Sequence, residues 1–383
     1  MRTIGVVTVA RSDYGILLPL MRKIYEEPDL QLKLIVSGMH LSPEFGLTVK
    51  AIEAEGFPIA ERVEMLLSSD TPEGIAKSVG LGIISFSQTF THFRPDILVV
   101  LGDRFEMYAA VLAALPFNIP VAHIHGGEVT LGAFDDALRH SITKLAHLHF
   151  ASTEEYAQRI HQMGEEKWRI SISGAPSLDN LHAIQLMTAS ELNSRYRLNL
   201  QKPTLLVTFH PITLEYDQTE WQIKNLLAAL NELGMPVVFT LPNADTNGRI
   251  IVNEIKQFVE THESARIIDN LGTIGYFSLM SSASAMVGNS SSGIIEAASF
   301  KLPVVNIGIR QCGRLKPENV IDTGYDCTEI IESIKKAASS RFRDNLRELN
   351  NPYGCGNASE KIVKTLKNVK LDKRLIVKKF CDL

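Results

Sequence analysis

"DILVVLGDRFEMYAAVLAALPFNIPVAHIH", Asp96 to His125, is the stretch that decides the fold. "DILVVLG" is a short run of branched apolar residues ending in glycine, too uniformly apolar for a strand with one wet face. Arg104 to Leu115 then has helical period, and Pro116, Asn118 and Pro120 stop it before "PVAHIH" opens a second apolar run. Strand, helix and strand in that order predict two parallel strands with the helix crossing over one face.

The alternation runs outward in both directions. Further strands are expected at "TIGVVTV", "LKLIVSG", "LHFAS" and "RISISG", with helices at Gly15 to Tyr25, Glu73 to Phe93 and Asp135 to Ala146. The pattern restarts with "TLLVTFH", "PVVFTLP", "ARIID", "AMVGN" and "PVVNIG", and with helices near Trp221 to Leu233, Arg249 to His262 and Gly293 to Phe300. This predicts an α/β protein of two doubly wound, Rossmann-like domains facing a central cleft. The expected bounds are 1–182 and 203–364, a polar linker at 183–202, and a C-terminal helix at 365–383 packed back on the first domain. A length of 383 residues suits two cores of ordinary size.

Composition narrows the partners. Hydrophobic residues make up 45% and charged residues 21%, the balance of a soluble globular protein. A net charge of -4 supplies no broad positive field for nucleic acid or an anionic membrane. The apolar opening is interrupted by Arg11, Ser12 and Asp13 and reads as a buried strand and not a leader. The region Tyr108 to Ala122 is broken by its prolines, so no bilayer span is expected. Cys312, Cys327, Cys355 and Cys381 have no C-x-x-C spacing and point to a reducing cytoplasm. Small molecules and a second copy of the chain remain as partners.

Ligands of doubly wound sheets sit beyond the carboxyl ends of the strands. The loops there are "ARSDYG", "GMHLSPEFG", "GDRFE", "HGGE", "GAPSLDN", "HPIT", "PNADTNG", "GNSSSG" and "GIRQCGR". In "GNSSSGIIEAASF" the backbone N–H groups and hydroxyls of Ser290, Ser291 and Ser292 at a helix start suit phosphate oxygens, and Glu296 one turn further suits a ribose diol. A plain serine N-cap is the alternative. No G-x-G-x-x-G follows the first strand and no G-x-x-x-x-G-K-[ST] occurs, so neither a dinucleotide cofactor nor a P-loop is expected. Arg11, Arg104 and Arg310 lie on strand-end loops where a diphosphate would be met; surface ion pairing is the alternative. Asp103 ends an apolar strand at the cleft mouth, either as a reactive carboxylate or as a helix cap. His123 and His125 alternate on a strand end and should share a face. Asp135 with Arg139, and Asp136 with His140, share helix faces at i, i+4. His210 closes the first strand of the second domain. A metal-hydrolase reading of His123, His125 and Asp135 with Glu128 as base lacks an H-E-x-x-H or any third ligand at a diagnostic spacing.

These loops together resemble the UDP-N-acetylglucosamine 2-epimerases, and in particular the hydrolysing branch that feeds sialic acid synthesis. The likeness runs from "ARSDYG" and "SGMHLSPEFG" through "GDRFE", "HIHGGE", "DDALRHSITKLAH", "FHP" and "GNSSSGIIE" to "GIRQCGRLKPENVI" and "NPYG". It implies a glycosyltransferase-B-like pair of domains in a homodimer, with no cofactor and no metal. It also implies elimination of UDP across C1 and C2 to a 2-acetamidoglucal, followed by addition of water. The substrate implied is UDP-N-acetylglucosamine, giving N-acetylmannosamine; the alternative is a 4-amino-4,6-dideoxy sugar nucleotide, UDP-N,N'-diacetylbacillosamine. By the same resemblance Asp103 and Asp135 match proton-transfer groups and His210 a catalytic or phosphate-contacting histidine. Ser290, Ser291 and Ser292 match the diphosphate loop, Glu296 the ribose ligand, and Arg11 and Arg104 phosphate or active-site contacts. Many members carry Glu where this chain has His125, which leaves His125 and Glu128 as rival proton carriers. A non-catalytic nucleotide-sugar sensor would share the same loops.

Overall fold

The computed structural model describes residues 1–67, 71–131, 133–212, 214–242, 247–269 and 271–382. Asn243 to Thr246 of "PNADTNG", Thr213 of "HPIT" and the terminal Leu383 lie outside the described residues. The chain divides into two units: Met1–Glu128, Asp135–Ala183 and Tyr353–Leu383 form the first, Val129–Phe134 and Ile184–Pro352 the second.

The first unit carries β1 (Arg2–Thr8), β2 (Leu30–Ser37), β3 (Ile59–Val63), β4 (Ile97–Leu101), β5 (Val121–Ile124), β6 (Leu148–Ala151) and β7 (Ile170–Ile172). They form a seven-stranded sheet in the order β3-β2-β1-β4-β5-β6-β7, every ladder parallel. β4 and β5 are buried at every position because helices cover both faces. The second unit carries β8 (Leu205–Thr208), β9 (Val237–Thr240), β10 (Ala265–Ile267), β11 (Ala285–Gly288), β12 (Val304–Ile307) and β13 (Val320–Thr323). Their order is β10-β9-β8-β11-β12-β13, again parallel throughout. Both sheets are therefore doubly wound, with separate apolar cores. No helix among the described residues is long and apolar enough to cross a membrane.

The boundaries differ from those read in the sequence. Residues 184–202 are not a linker: Met187 N–H donates to Ser278 Oγ at 2.8 Å, and the helix Ala189–Tyr196 packs on the helix Gly272–Ser282, so this stretch belongs to the second unit. The chain rejoins the first unit at Tyr353 and not at 365. Asp179 explains the earlier return, since its carboxylate accepts the N–H groups of Ala358 at 2.9 Å and Ser359 at 2.6 Å and caps the helix Ala358–Asn368. The helix expected over 365–383 is broken as well. Arg169, buried in the first unit, takes the carbonyls of Arg374, Leu375 and Val377, which a continuing helix would need for itself. Among the described residues of that segment, only the end of the helix Ala358–Asn368 and the short helix Lys373–Ile376 are α-helical.

Candidate functional site

In each sheet the strand order reverses at one place, and the loops diverging there open a crevice. In the first unit it lies between β1 and β4, in the second between β8 and β11. The residues singled out from the sequence stand at these two places or on neighbouring loops.

After β4 the chain turns through Gly102, whose φ of 73° is left-handed, into Asp103 and Arg104. The Asp103 carboxylate pairs with Arg139, which is 1% exposed and reaches over from the helix Asp135–Leu145. Arg139 also lies 3.7 Å from Asp136, and Asp136 stands 3.5 Å from His140. Asp135 is half-buried at the first position of that helix. Arg104 forks onto Glu106 with bonds of 3.1 and 2.8 Å, and Glu106 is wholly buried. Arg11 is exposed at the start of the helix Arg11–Glu26.

β5 ends at Ile124, and His125 takes a left-handed φ of 63°. The strand face expected to carry both His123 and His125 is therefore lost. His125 Nδ1 bonds Glu128, which also accepts Ser152 Oγ at 2.9 Å; the two partners are 6% and 1% exposed. An ionised carboxylate only accepts, so against it Nδ1 is the donor of this bond. Among the described residues no three His, Cys, Asp or Glu side chains stand together as a metal site. The triad His123, His125 and Asp135 is not assembled, because both His123 nitrogens already have protein partners.

Two groups beside this site escaped the sequence reading. Asp13 accepts the N–H groups of Val9 at 2.8 Å and Ala10 at 2.6 Å, and its burial pushes the carboxyl up to about 6. His40 bridges Thr8 at 3.0 Å and Thr48 at 2.7 Å, and burial pushes its imidazole down to about 4. A carboxylate in the first turn after a strand was the available signal for Asp13. His40 offered none.

The second unit builds its crevice mostly from neutral groups, with Arg310 and Glu296 beside them. Asn289, fully buried, accepts His210 N–H through Oδ1 at 2.7 Å and donates Nδ2 to His210 O at 2.9 Å. Its own carbonyl accepts Arg310 at 3.0 Å and Gln311 at 2.8 Å. Ser290 caps the helix that follows, accepting Ser292 N–H at 3.3 Å. That helix, Ser291–Ile295, is shorter than the expected Gly293 to Phe300 segment and ends at the buried Glu296, where a 3-10 turn takes over. A five-residue helix has little dipole, so any anion there would rely on N–H groups and hydroxyls. Tyr276 adds a hydroxyl close to Ser292, Thr208 and Ser290, its phenol pushed up to about 12 chiefly by burial. Asn289 and Tyr276 were both missed; Asn289 follows its strand directly, whereas Tyr276 sits inside a helix with no motif around it.

Residues 22–367 match the family model described as UDP-N-acetylglucosamine 2-epimerase. A Campylobacter jejuni GDP/UDP-N,N'-diacetylbacillosamine 2-epimerase (hydrolyzing) is 42% identical, over 100% of this chain and 99% of its own. A Legionella pneumophila UDP-N,N'-diacetylbacillosamine 2-epimerase (hydrolyzing) is 36% identical over 98% of each. An Escherichia coli polysialic acid biosynthesis protein P7 is 34% identical, over 100% of this chain and 98% of its own. The crystal structure of a Neisseria meningitidis UDP-GlcNAc 2-epimerase bound to UDP-GlcNAc superposes with a TM-score of 0.82 at 20% identity, covering 96% of this chain and 99% of that one.

Proposed function

The chain belongs to the UDP-N-acetylglucosamine 2-epimerase family, and from that membership we propose that it is a hydrolysing 2-epimerase acting on UDP-N,N'-diacetylbacillosamine. The sialic acid branch named from the loop motifs gives way here to the alternative substrate, because the relatives at 42% and 36% identity carry that activity in their names.

Hydrolytic epimerisation sets a definite chemical demand. A proton leaves C2, the C1–O bond to UDP breaks with its electrons going to the diphosphate, and a glycal remains. Water then adds its hydroxyl at C1, and a proton returns to C2 on the opposite face. Removing a proton from one face and delivering one to the other takes two groups.

The observation that carries this reading is the buried His125–Glu128 pair next along the sheet from Asp103. Glu128 holds the imidazole in the tautomer whose Nε2 is a base, so His125 moves the proton and Glu128 orients it. Asp103, steadied by Arg139, and Asp135 supply the second proton group. The second unit supplies the nucleotide groups: Ser290, Ser291, Ser292 and Arg310 for the diphosphate with His210 beside them, and Glu296 for the ribose.

A proton NMR time course in deuterated water tests the proposal, with UDP-N,N'-diacetylbacillosamine and UDP-N-acetylglucosamine as separate substrates. The expected result is free UDP and a C2-inverted free sugar deuterated at C2, formed at least tenfold faster from the first substrate. Faster turnover of UDP-N-acetylglucosamine would restore the sialic acid reading. No turnover of either would leave a nucleotide-sugar sensor.

A further inference from the structure

His123 is the histidine of "HIHGGE" that the proposed chemistry leaves unused, yet it is fully buried next to the reacting groups. Its Nε2 lies 2.7 Å from the carbonyl of Gly102, and its Nδ1 lies 3.1 Å from Thr143 Oγ1. A carbonyl only accepts, so Nε2 donates and Nδ1 accepts the threonine hydroxyl. We propose that His123 is a positioning residue, a neutral bridge that holds the Asp103 turn in register with the helix carrying Asp135 and Arg139. The inference rests on the function proposed above.

Both ends of the bridge bear on named groups. Gly102 immediately precedes Asp103, and its N–H donates to Ile124 O at 2.9 Å. With its carbonyl on His123, the turn peptide is tied to β5 at both polar atoms. Thr143, fully buried, lies one turn beyond Arg139 on the helix Asp135–Leu145. The ring therefore joins the turn that presents Asp103 to the helix whose Arg139 grips that same carboxylate.

Gly126 is an independent sign that the bridge has been accommodated. A Cβ there would lie 2.9 Å from His123 Nδ1 and 3.0 Å from Thr143 Oγ1, directly against the bond. Its φ is not left-handed, so space and not backbone conformation asks for glycine. Burial pushes the imidazole down to about 3, which keeps the ring neutral at any pH where the enzyme would work.

Three variants test the bridge. His123→Phe fills the ring volume and makes neither bond, His123→Gln keeps a donor for Gly102 O, and Thr143→Val removes one hydroxyl at constant shape. A slightly misplaced reacting group costs on the order of 100-fold in rate, so His123→Phe should lose about that much kcat while KM and UDP affinity stay within about threefold. His123→Gln should recover about tenfold of the loss, and Thr143→Val should lower kcat about fivefold, as for one hydrogen bond. Amide hydrogen exchange at Gly102–Arg104 should quicken in His123→Phe. Folded His123→Phe with kcat within twofold of the parent, or with UDP affinity falling in step with kcat, overturns the proposal. Should His123→Phe fail to fold, Thr143→Val decides by the same criteria. A parent inert toward every UDP-sugar sinks the function and leaves the bridge to the exchange measurement alone, where an unchanged Gly102–Arg104 turn in a folded variant overturns it separately.

Discussion

The two crevices have the same topology and opposite chemistry. In the first unit the strand-end groups include two charged pairs, Asp103 with Arg139 and Arg104 with Glu106, and the hydrogen-bonded His125 and Glu128. In the second, an amide, hydroxyls and backbone groups predominate around His210, Asn289, Ser290 and Tyr276. Buried charges are costly unless paired, and a fold that keeps several together beside one crevice places perturbable proton carriers there. Neutral donors around a half-open loop suit an anion that arrives already charged. The contrast accords with the proposed division, proton transfer in the first unit and nucleotide binding in the second.

Asp103→Asn probes that division where the effect should be largest. The substitution preserves shape and removes the charge that Arg139 pairs with. Loss of a proton-transfer group costs about 10² to 10⁴ in rate, so kcat should fall about 1,000-fold. UDP affinity, measured by calorimetry, should stay within about threefold. An equal loss of both would break the comparison, because Asp103 would then be holding the nucleotide.

Legibility in the sequence followed burial and distance. Strands covered on both faces, such as β4 and β5, read directly as apolar runs. β3 and β13, each at one edge of its sheet, went unread: they are half-exposed, and Glu61, Arg62 and Asp322 interrupt their apolar runs. Catalytic residue types stood out on their loops, but their partners did not. The bond from His123 to Thr143 spans 20 positions, and that from Asn289 to His210 spans 79. Only the assembled sheet makes such residues neighbours. Arg104 shows the opposite case, since its partner lay two residues away at Glu106, hidden as an ordinary residue of the next helix.

Acid should separate the units next. Burial pushes His40 and His147 down to about 4 and His123 to about 3, and lowers His149 as well. All four belong to the first unit. Each unfolded imidazole binds its proton near 6.5, so this stability is complete above 6.5 and is lost as pH falls toward the folded values. For His40 alone the loss reaches about 3 kcal/mol. Asp13 runs the other way: its raised value favours the protonated carboxyl, giving stability present below about 4 that is lost as pH rises through about 6. One buried acid only partly offsets the histidines. The two tryptophans report separately, Trp168 in the first unit and Trp221 in the second. In single-tryptophan variants, Trp168 fluorescence should change at a higher pH than Trp221 fluorescence. Coincident transitions would mean that the units unfold together and that the charge contrast does not govern stability.

Asn289 gives the smallest effect and the sharpest assignment. Asn289→Ala leaves the backbone N–H and C=O of His210 without their buried partner, a cost of about 1 to 3 kcal/mol. If His210 and Arg310 hold the diphosphate, that cost appears in binding, as a rise in the UDP dissociation constant of about 10- to 100-fold. Asn289→Asp should weaken it further, because the new carboxylate faces the His210 carbonyl and adds negative charge beside the phosphates. In both variants kcat at saturating substrate should stay within about threefold, since the proton carriers proposed in the first unit are untouched. The opposite pattern, kcat falling while UDP affinity holds, would move His210 from phosphate contact to proton transfer and spread the reacting groups over both units.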